Sequence, residues 1–344
     1  MNRVKLFLGA YINNNNAQNL NCVALAKYLD KSLFDIRVLS LYSEPSKEIE
    51  GVKVFKCIWP HRILVYWAYF WNIIHADVVY LPKGELLGFN SFLCQLFKKK
   101  SFSTIEGILD DTNYEKAKNS SGDEVLKFYP RLTKVYSIST FIKKYNEKKH
   151  QLLTDDKILE LGTESDIYTN SNKTYKPLTQ VILIANNYNL KGIDDFIALA
   201  NHYSNIEFHL IGEGKPIPTN FPNLILHGKL SQVELSTLLK KIQLHVFPSR
   251  SEGFPKVILE TACAGVPSLV YSDYGAQDWI EHSKTGFVVN TLEEMKNIID
   301  ELAPNEKLIE KVSKNAIQLG LSFDWKLKVK AWEEVILSLN SSEE

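Results

Sequence analysis

The sequence predicts an α/β protein of two doubly wound, Rossmann-like domains, and three observations carry that prediction. Short apolar runs of strand length alternate with helical patterns along the whole chain, as parallel sheets with helices on both faces require. At 344 residues the chain is long for one core and comfortable for two. Residues 166–177 are polar, rich in Asn, Ser, Thr and Lys, and without periodicity, which marks a linker. The expected division is a first domain over 1–165, the linker over 166–177, a second domain over 178–322 and a helical tail over 323–344.

In the first domain, apolar runs place strands near 4–8, 36–41, 52–55, 78–81, 101–105 and 135–138, with helices between most of them. The second repeats the rhythm, with strands near 181–185, 206–211, 224–227, 244–247 and 268–271. Residues 63–74 carry one polar member in twelve and read as a helix, well short of the ~20 residues that cross a bilayer. A helix apolar on all sides is normally buried, so Trp67 and Trp71 are expected in the core or at a domain contact. Because Trp and Tyr favour membrane interfaces, a membrane surface touching the N-terminal domain is the other reading. After the strand near 244–247, Pro255 suits a first helical position, and Val257, Ile258, Leu259, Ala262 and Cys263 follow up to Gly265 as a stop.

Composition excludes several function classes. Lys+Arg and Asp+Glu are equal at 40 each, so no global field points to nucleic acid as a partner. Residues 1–165 hold 23 Lys+Arg against 18 Asp+Glu, partly in Lys98 to Lys100 and in Lys143, Lys144, Lys148 and Lys149; such runs are solvated helix faces or a membrane-facing patch. Cys22, Cys57, Cys94 and Cys263 are scattered among apolar neighbours without a Cys-x-x-Cys pair, which suits a reducing compartment. The apolar block at the N-terminus is too short for a signal peptide, so a cytoplasmic location is expected, including the inner face of the membrane. No phosphate-binding Gly-x-x-x-x-Gly-Lys-Ser/Thr loop is present, since Gly214-Lys215 runs into Pro216, and no Gly-x-Gly-x-x-Gly follows the first strand. The eight His show no His-x-x-x-His spacing, and the pairs Asp110-Asp111, Asp155-Asp156 and Asp194-Asp195 are not Asp-x-Asp, so neither a metal nor another cofactor is expected.

The candidate site is Phe247-Pro-Ser-Arg-Ser-Glu252-Gly-Phe-Pro-Lys-Val-Ile-Leu-Glu260. Glu260 is the only charged residue from Val257 to Val270, and a carboxylate taken out of water needs donors. Paired sugar hydroxyls supply them, since one carboxylate accepts two O–H groups at once. Glu252 falls in the turn after a strand, at the end where open α/β sheets bind ligands. Between the two, the N–H groups of Lys256, Val257 and Ile258 at a helix start offer an anion site that suits phosphate.

This constellation resembles the Glu-x7-Glu signature of the retaining GT-B glycosyltransferases of family 4, glycosyl transferases group 1, including the Pro-Ser-x-x-Glu-Gly-Phe-Pro lead-in. Ala264-Gly-Val-Pro267, Lys284-Thr-Gly-Phe-Val288, Ile211-Gly212-Glu-Gly214 and Lys191-Gly192 also look like that family. The resemblance covers roughly 177–332 well and the first half more weakly, through Val135-Tyr-Ser-Ile-Ser139 and Leu161-Gly162-Thr-Glu164.

It implies a GT-B fold with the domains facing across a cleft and the C-terminal helix packing back on the first domain. It also implies transfer of a hexose or hexosamine, with retention, from a nucleoside-diphosphate sugar to a glycan or lipid-linked glycan acceptor. Under it Lys191 and the helix start at Lys256 to Ile258 serve the phosphates, and Glu260 holds the ribose. Lys229 and Leu230 face the base, and Glu252 lies against the donor sugar. Gly253, Phe254, Val257, Arg250, Asn186 and Gly9 complete the donor-binding set, and Glu106 joins Glu252 and Lys191 as a catalytic candidate.

Two positions depart from the family. Asn186 stands where relatives carry an Arg, with Arg250 or Lys256 as the expected substitutes, and Glu106 stands where many carry a His. Glu106 either binds sugar hydroxyls or makes a local bond at its strand end. These departures sustain an alternative, a non-catalytic GT-B subunit that binds nucleotide or glycan and supports an active partner.

Overall fold

The computed structural model describes residues 3–14, 16–42, 48–57, 60–108, 126–169, 173, 175–185, 191–214, 217 and 221–342. They form two compact units, one of residues 1–161 with 325–344 and one of residues 162–324.

The first unit is built on a six-stranded sheet of β1 (Val4–Tyr11), β2 (Phe34–Leu41), β3 (Val52–Cys57), β4 (Val78–Tyr80), β5 (Lys100–Ile105) and β6 (Lys134–Ser137). Every pairing is parallel and the order is β3-β2-β1-β4-β5-β6. β1 is central and buried on both faces, as its near-continuous apolar run demands. On one face Phe7 and Val79 pack against Val65, Ala68, Tyr69 and Ile73 of helix His61–Ile74. On the other lies helix Trp325–Ser341, whose Trp332 meets Tyr80 edge-on at 5.4 Å and donates its indole N–H to the Glu160 carbonyl at 3.0 Å.

In the second unit β7 (Gln180–Ile184), β8 (Glu207–Ile211), β9 (Leu224–Gly228), β10 (Leu244–Phe247), β11 (Ser268–Tyr271) and β12 (Phe287–Val289) make another wholly parallel sheet, in the order β12-β11-β10-β7-β8-β9. Counted from its own first strand, this is the same 3-2-1-4-5-6 winding. Each sheet therefore reverses direction between its first and fourth strands, and the carboxyl ends of those strands frame a binding crevice. In the second unit the crevice lies beyond β7 and β10, where Lys191 and Glu252 follow.

Three expectations change on inspection of the structure. Residues 166–177, read as a linker, belong to the second unit wherever they are described: helix Ser165–Tyr168 buries Tyr168 against Ile182, Ile184 and Leu239. Lys173 donates to the carbonyls of Ile242 at 3.0 Å and Ala264 at 3.1 Å, and burial lowers its pKa to about 7. A Lys that serves buried carbonyls looks in sequence like a solvated one.

The second change concerns residues 63–74. Helical spacing turns Val65, Ala68, Tyr69 and Ile73 inward, and it leaves Trp67 and Trp71 50% and 40% exposed on the far side, so these two are not core residues. The third is β12, three residues long and too short to stand out as a strand. Among the described residues no helix is long and apolar enough to cross a membrane, and all four cysteines are free and buried.

Candidate active site

The geometry of the second unit's crevice begins with Gly192. Its φ of +67° is open to glycine, and it caps helix Ile193–His202 directly after Lys191. A Cβ built there falls 2.0 Å from the Pro248 carbonyl oxygen, so the backbone after β7 touches the backbone after β10. That approach sets Lys191 beside Glu252, 61 residues away in sequence: Nζ lies 2.5 Å from Oε1. The same oxygen accepts from Ser249 Oγ at 2.5 Å. Glu252 is 9% exposed, and Lys191 reaches it across the Phe247 ring, with Nζ 5.6 Å from the centroid. A charge pair this sheltered is held by its hydrogen-bonding partners.

Glu260 occupies the middle of helix Lys256–Cys263. Burial pushes its carboxyl up to about 7, Lys256 one turn earlier draws it down, and Glu164 adds to the rise. No described residue donates a hydrogen bond to that carboxyl. Around its helix a small apolar cluster gathers Tyr168, Leu235, Leu239 and Cys263, with Leu230 and Val257 packed against it. Glu260, Val257 and Leu230 thus share one corner of the unit. Lys229 is exposed and paired with Glu213 at 2.7 Å.

Other expected site residues meet different fates. The helix starts at Lys256 with Pro255 as its N-cap, one residue later than expected, and the Ile258 N–H is taken by the Pro255 carbonyl at 3.0 Å, which removes it from the anticipated anion site. Phe254, beside Gly253, packs against Trp279 at 5.1 Å and Phe323 at 6.0 Å and so anchors the loop to the core. Arg250 pairs with Asp273 at 2.9 Å and stacks on Tyr271 at 3.9 Å. Asn186 and the pair Asp110-Asp111 lie outside the described residues, as does Pro216.

Glu106 and Gly9 belong to the first unit. Glu106 accepts from Asn21 Nδ2, 85 residues away on helix Ala17–Tyr28, at 2.8 Å, and from its near neighbour Thr104 Oγ1 at 3.4 Å. Gly9 lies inside β1, where an added Cβ would stand 3.1 Å from the Tyr80 carbonyl oxygen; its own carbonyl accepts from Tyr69 Oη at 3.2 Å, so its role there is close packing.

Sequence reasoning missed Ser249 and Tyr274. Ser249 stands three residues before Glu252, a spacing that favours a local side-chain bond and was a usable signal. Tyr274 gives no such signal. Its buried hydroxyl has no hydrogen-bond partner among the described residues, and burial, with Glu252 and Asp273 adding to it, raises its pKa far above the ordinary value. Among the described residues no group of three or more His, Cys, Asp or Glu is arranged to hold a metal ion.

The chain has recognisable relatives. Residues 164–319 match the family described as glycosyl transferases group 1. An uncharacterised glycosyltransferase of Methanocaldococcus jannaschii is 28% identical over 159 residues, which is 42% of this chain and 45% of that one. One of Haemophilus influenzae is 23% identical over 184 residues, 48% of this chain and 51% of the other. The matched regions thus span about half the length of these relatives.

Among solved structures, the fold is similar to sucrose-phosphate synthase from Thermosynechococcus elongatus, with a TM-score of 0.79 at 14% identity over 99% of this chain and all of that one. It is also similar to Anabaena HepE in complex with UDP and glucose, with a TM-score of 0.75 at 14% identity over 98% of this chain and all of that one. The match to glycosyl transferases group 1 thus spans nearly the whole second unit, and the two six-stranded parallel sheets give the chain the GT-B type of fold seen in these solved structures.

Proposed function

We propose that the chain is a retaining, metal-independent hexosyltransferase of glycosyltransferase family 4. It moves a hexose or hexosamine from a nucleoside-diphosphate sugar, UDP-linked in preference to GDP-linked, to a cell-surface glycan precursor. The observation that carries this reading is the Lys191–Glu252 pair at the second sheet's reversal point, eight residues before a Glu260 without a described donor.

Cleaving a sugar–phosphate bond builds negative charge on the leaving diphosphate and positive character on the ring. Lys191 is the cation for the phosphates, and its departure from Glu252 frees that carboxylate to accept the sugar's hydroxyls and face the positive ring. Glu260 accepts the paired hydroxyls of the ribose. Lys256 adds a second positive charge at the helix start. The solved relative HepE, bound in one structure to UDP-glucose, supports a UDP-sugar donor by likeness.

Incubating the purified chain with UDP- and GDP-sugars, glycan acceptors and a chelator, and following the product by NMR, tests the proposal. The expected outcome is turnover with the donor's anomeric configuration kept. An inverted product contradicts retention, and donor binding without turnover across acceptors favours the non-catalytic subunit, for which Asn186 in place of Arg is the supporting observation.

A further inference from the structure

Helices His61–Ile74 and Leu87–Leu96 of the first unit pack on each other and turn large apolar side chains outward. Tyr66, Trp67 and Trp71 are exposed on the first, and Phe92, Leu96 and Phe97 on or just after the second. Their rings join into one surface: Trp67 stacks on Phe70 at 5.4 Å and lies 5.9 Å from Trp71, while Phe70 meets Phe97 edge-on at 5.9 Å. A contiguous apolar face of this kind marks an interaction site.

Charge adjoins it. Directly after Phe97, Lys98, Lys99 and Lys100 join Arg131 around a cavity of about 210 Å³ whose described lining holds no acidic residue. The Ala76 carbonyl fixes Lys99 at 2.9 Å, and Arg131 lies over the Phe128 ring at 4.8 Å, so the cavity has a defined shape.

We propose that this face docks on an anionic lipid surface, with the aromatic rings at headgroup depth and the basic cavity receiving lipid phosphate. Charge complementarity selects that occupant. A symmetric contact with a second copy would bring two such basic clusters together, whereas anionic headgroups neutralise them. Trp and Tyr suit the interface energetically, and with no described helix able to span a membrane the contact is peripheral.

Flotation of the full chain with vesicles of phosphatidylcholine, alone or mixed with phosphatidylglycerol, tests this, with thermal unfolding as the check on each variant. Binding is expected to rise with phosphatidylglycerol and to fall with added salt. A Trp67→Ser/Trp71→Ser variant is expected to lose about tenfold or more in partitioning, and Lys98→Asn/Lys100→Gln about fivefold per charge. Asn tolerates the positive φ of 48° at position 98. Equal binding to both vesicle types, unchanged binding by both variants, or a dimer that the Trp substitutions dissolve would overturn the proposal.

Discussion

Lys191→Ala is expected to lower turnover by about a hundred- to a thousandfold, the usual loss when one donor aimed at developing charge is removed. The same change leaves Glu252 buried with only Ser249 as a described partner, so about 2 kcal/mol of stability is expected to go with it. Glu252→Gln keeps a hydrogen-bonding group against Ser249 and removes the charge, so it separates the two effects: turnover falls comparably while stability falls less. Because the side chains touch at 2.5 Å, the double variant is expected to lose far less than the two single losses combined. Kinetics on all three variants, with denaturant unfolding alongside, check this. Additive losses would show that the pair does not act as a unit.

Gly192→Ala is the larger structural insult. The added methyl falls 2.0 Å from the Pro248 oxygen, where backbone must yield, and φ there is +67°. Left-handed strain alone costs about 1 kcal/mol and the displaced backbone more, so a loss above about 3 kcal/mol is expected. Donor binding should fail together with stability, since the residue that would move is the neighbour of Lys191. The denaturation midpoint of the variant measures it, and a shift smaller than about 1 kcal/mol would mean that the two loops are not in the contact described.

The same glycine shows what the sequence makes legible and what it hides. Strand periods identified eleven of the twelve strands that the structure names, because parallel strands buried on both faces are dense apolar runs. β12 escaped through its length. Lys191, Gly192 and Glu252 were each visible through motif resemblance, yet their contact was not, because the sheet order that brings β7 next to β10 is a tertiary fact. The physical reason for Gly192, the Pro248 carbonyl 56 chain positions away, lies equally beyond local pattern.

Trp67 and Trp71 were misplaced because composition alone does not say which side of an apolar helix faces solvent. Lys173 lies within the span read as a linker, and its burial is not legible there because it depends on the carbonyls it meets, Ile242 and Ala264, from distant segments. Tyr274 left no trace in pattern at all, since a buried hydroxyl gains its meaning only from the carboxylates around it.

The central claim is that the second unit holds a nucleoside-diphosphate sugar through Lys191 and Glu260, and calorimetric titration of UDP-glucose and a GDP-sugar at pH 6 and pH 8 tests it most directly. A carboxyl raised to about 7 is mostly protonated at the lower pH and mostly ionised at the higher, and only the ionised form accepts both ribose hydroxyls. One donor is expected to bind, more tightly at pH 8 by up to about tenfold. Lys191→Ala is expected to weaken it about ten- to a hundredfold, and Glu260→Gln to weaken it and remove its pH dependence. Binding of neither donor, or binding that both substitutions leave unchanged, would contradict the account.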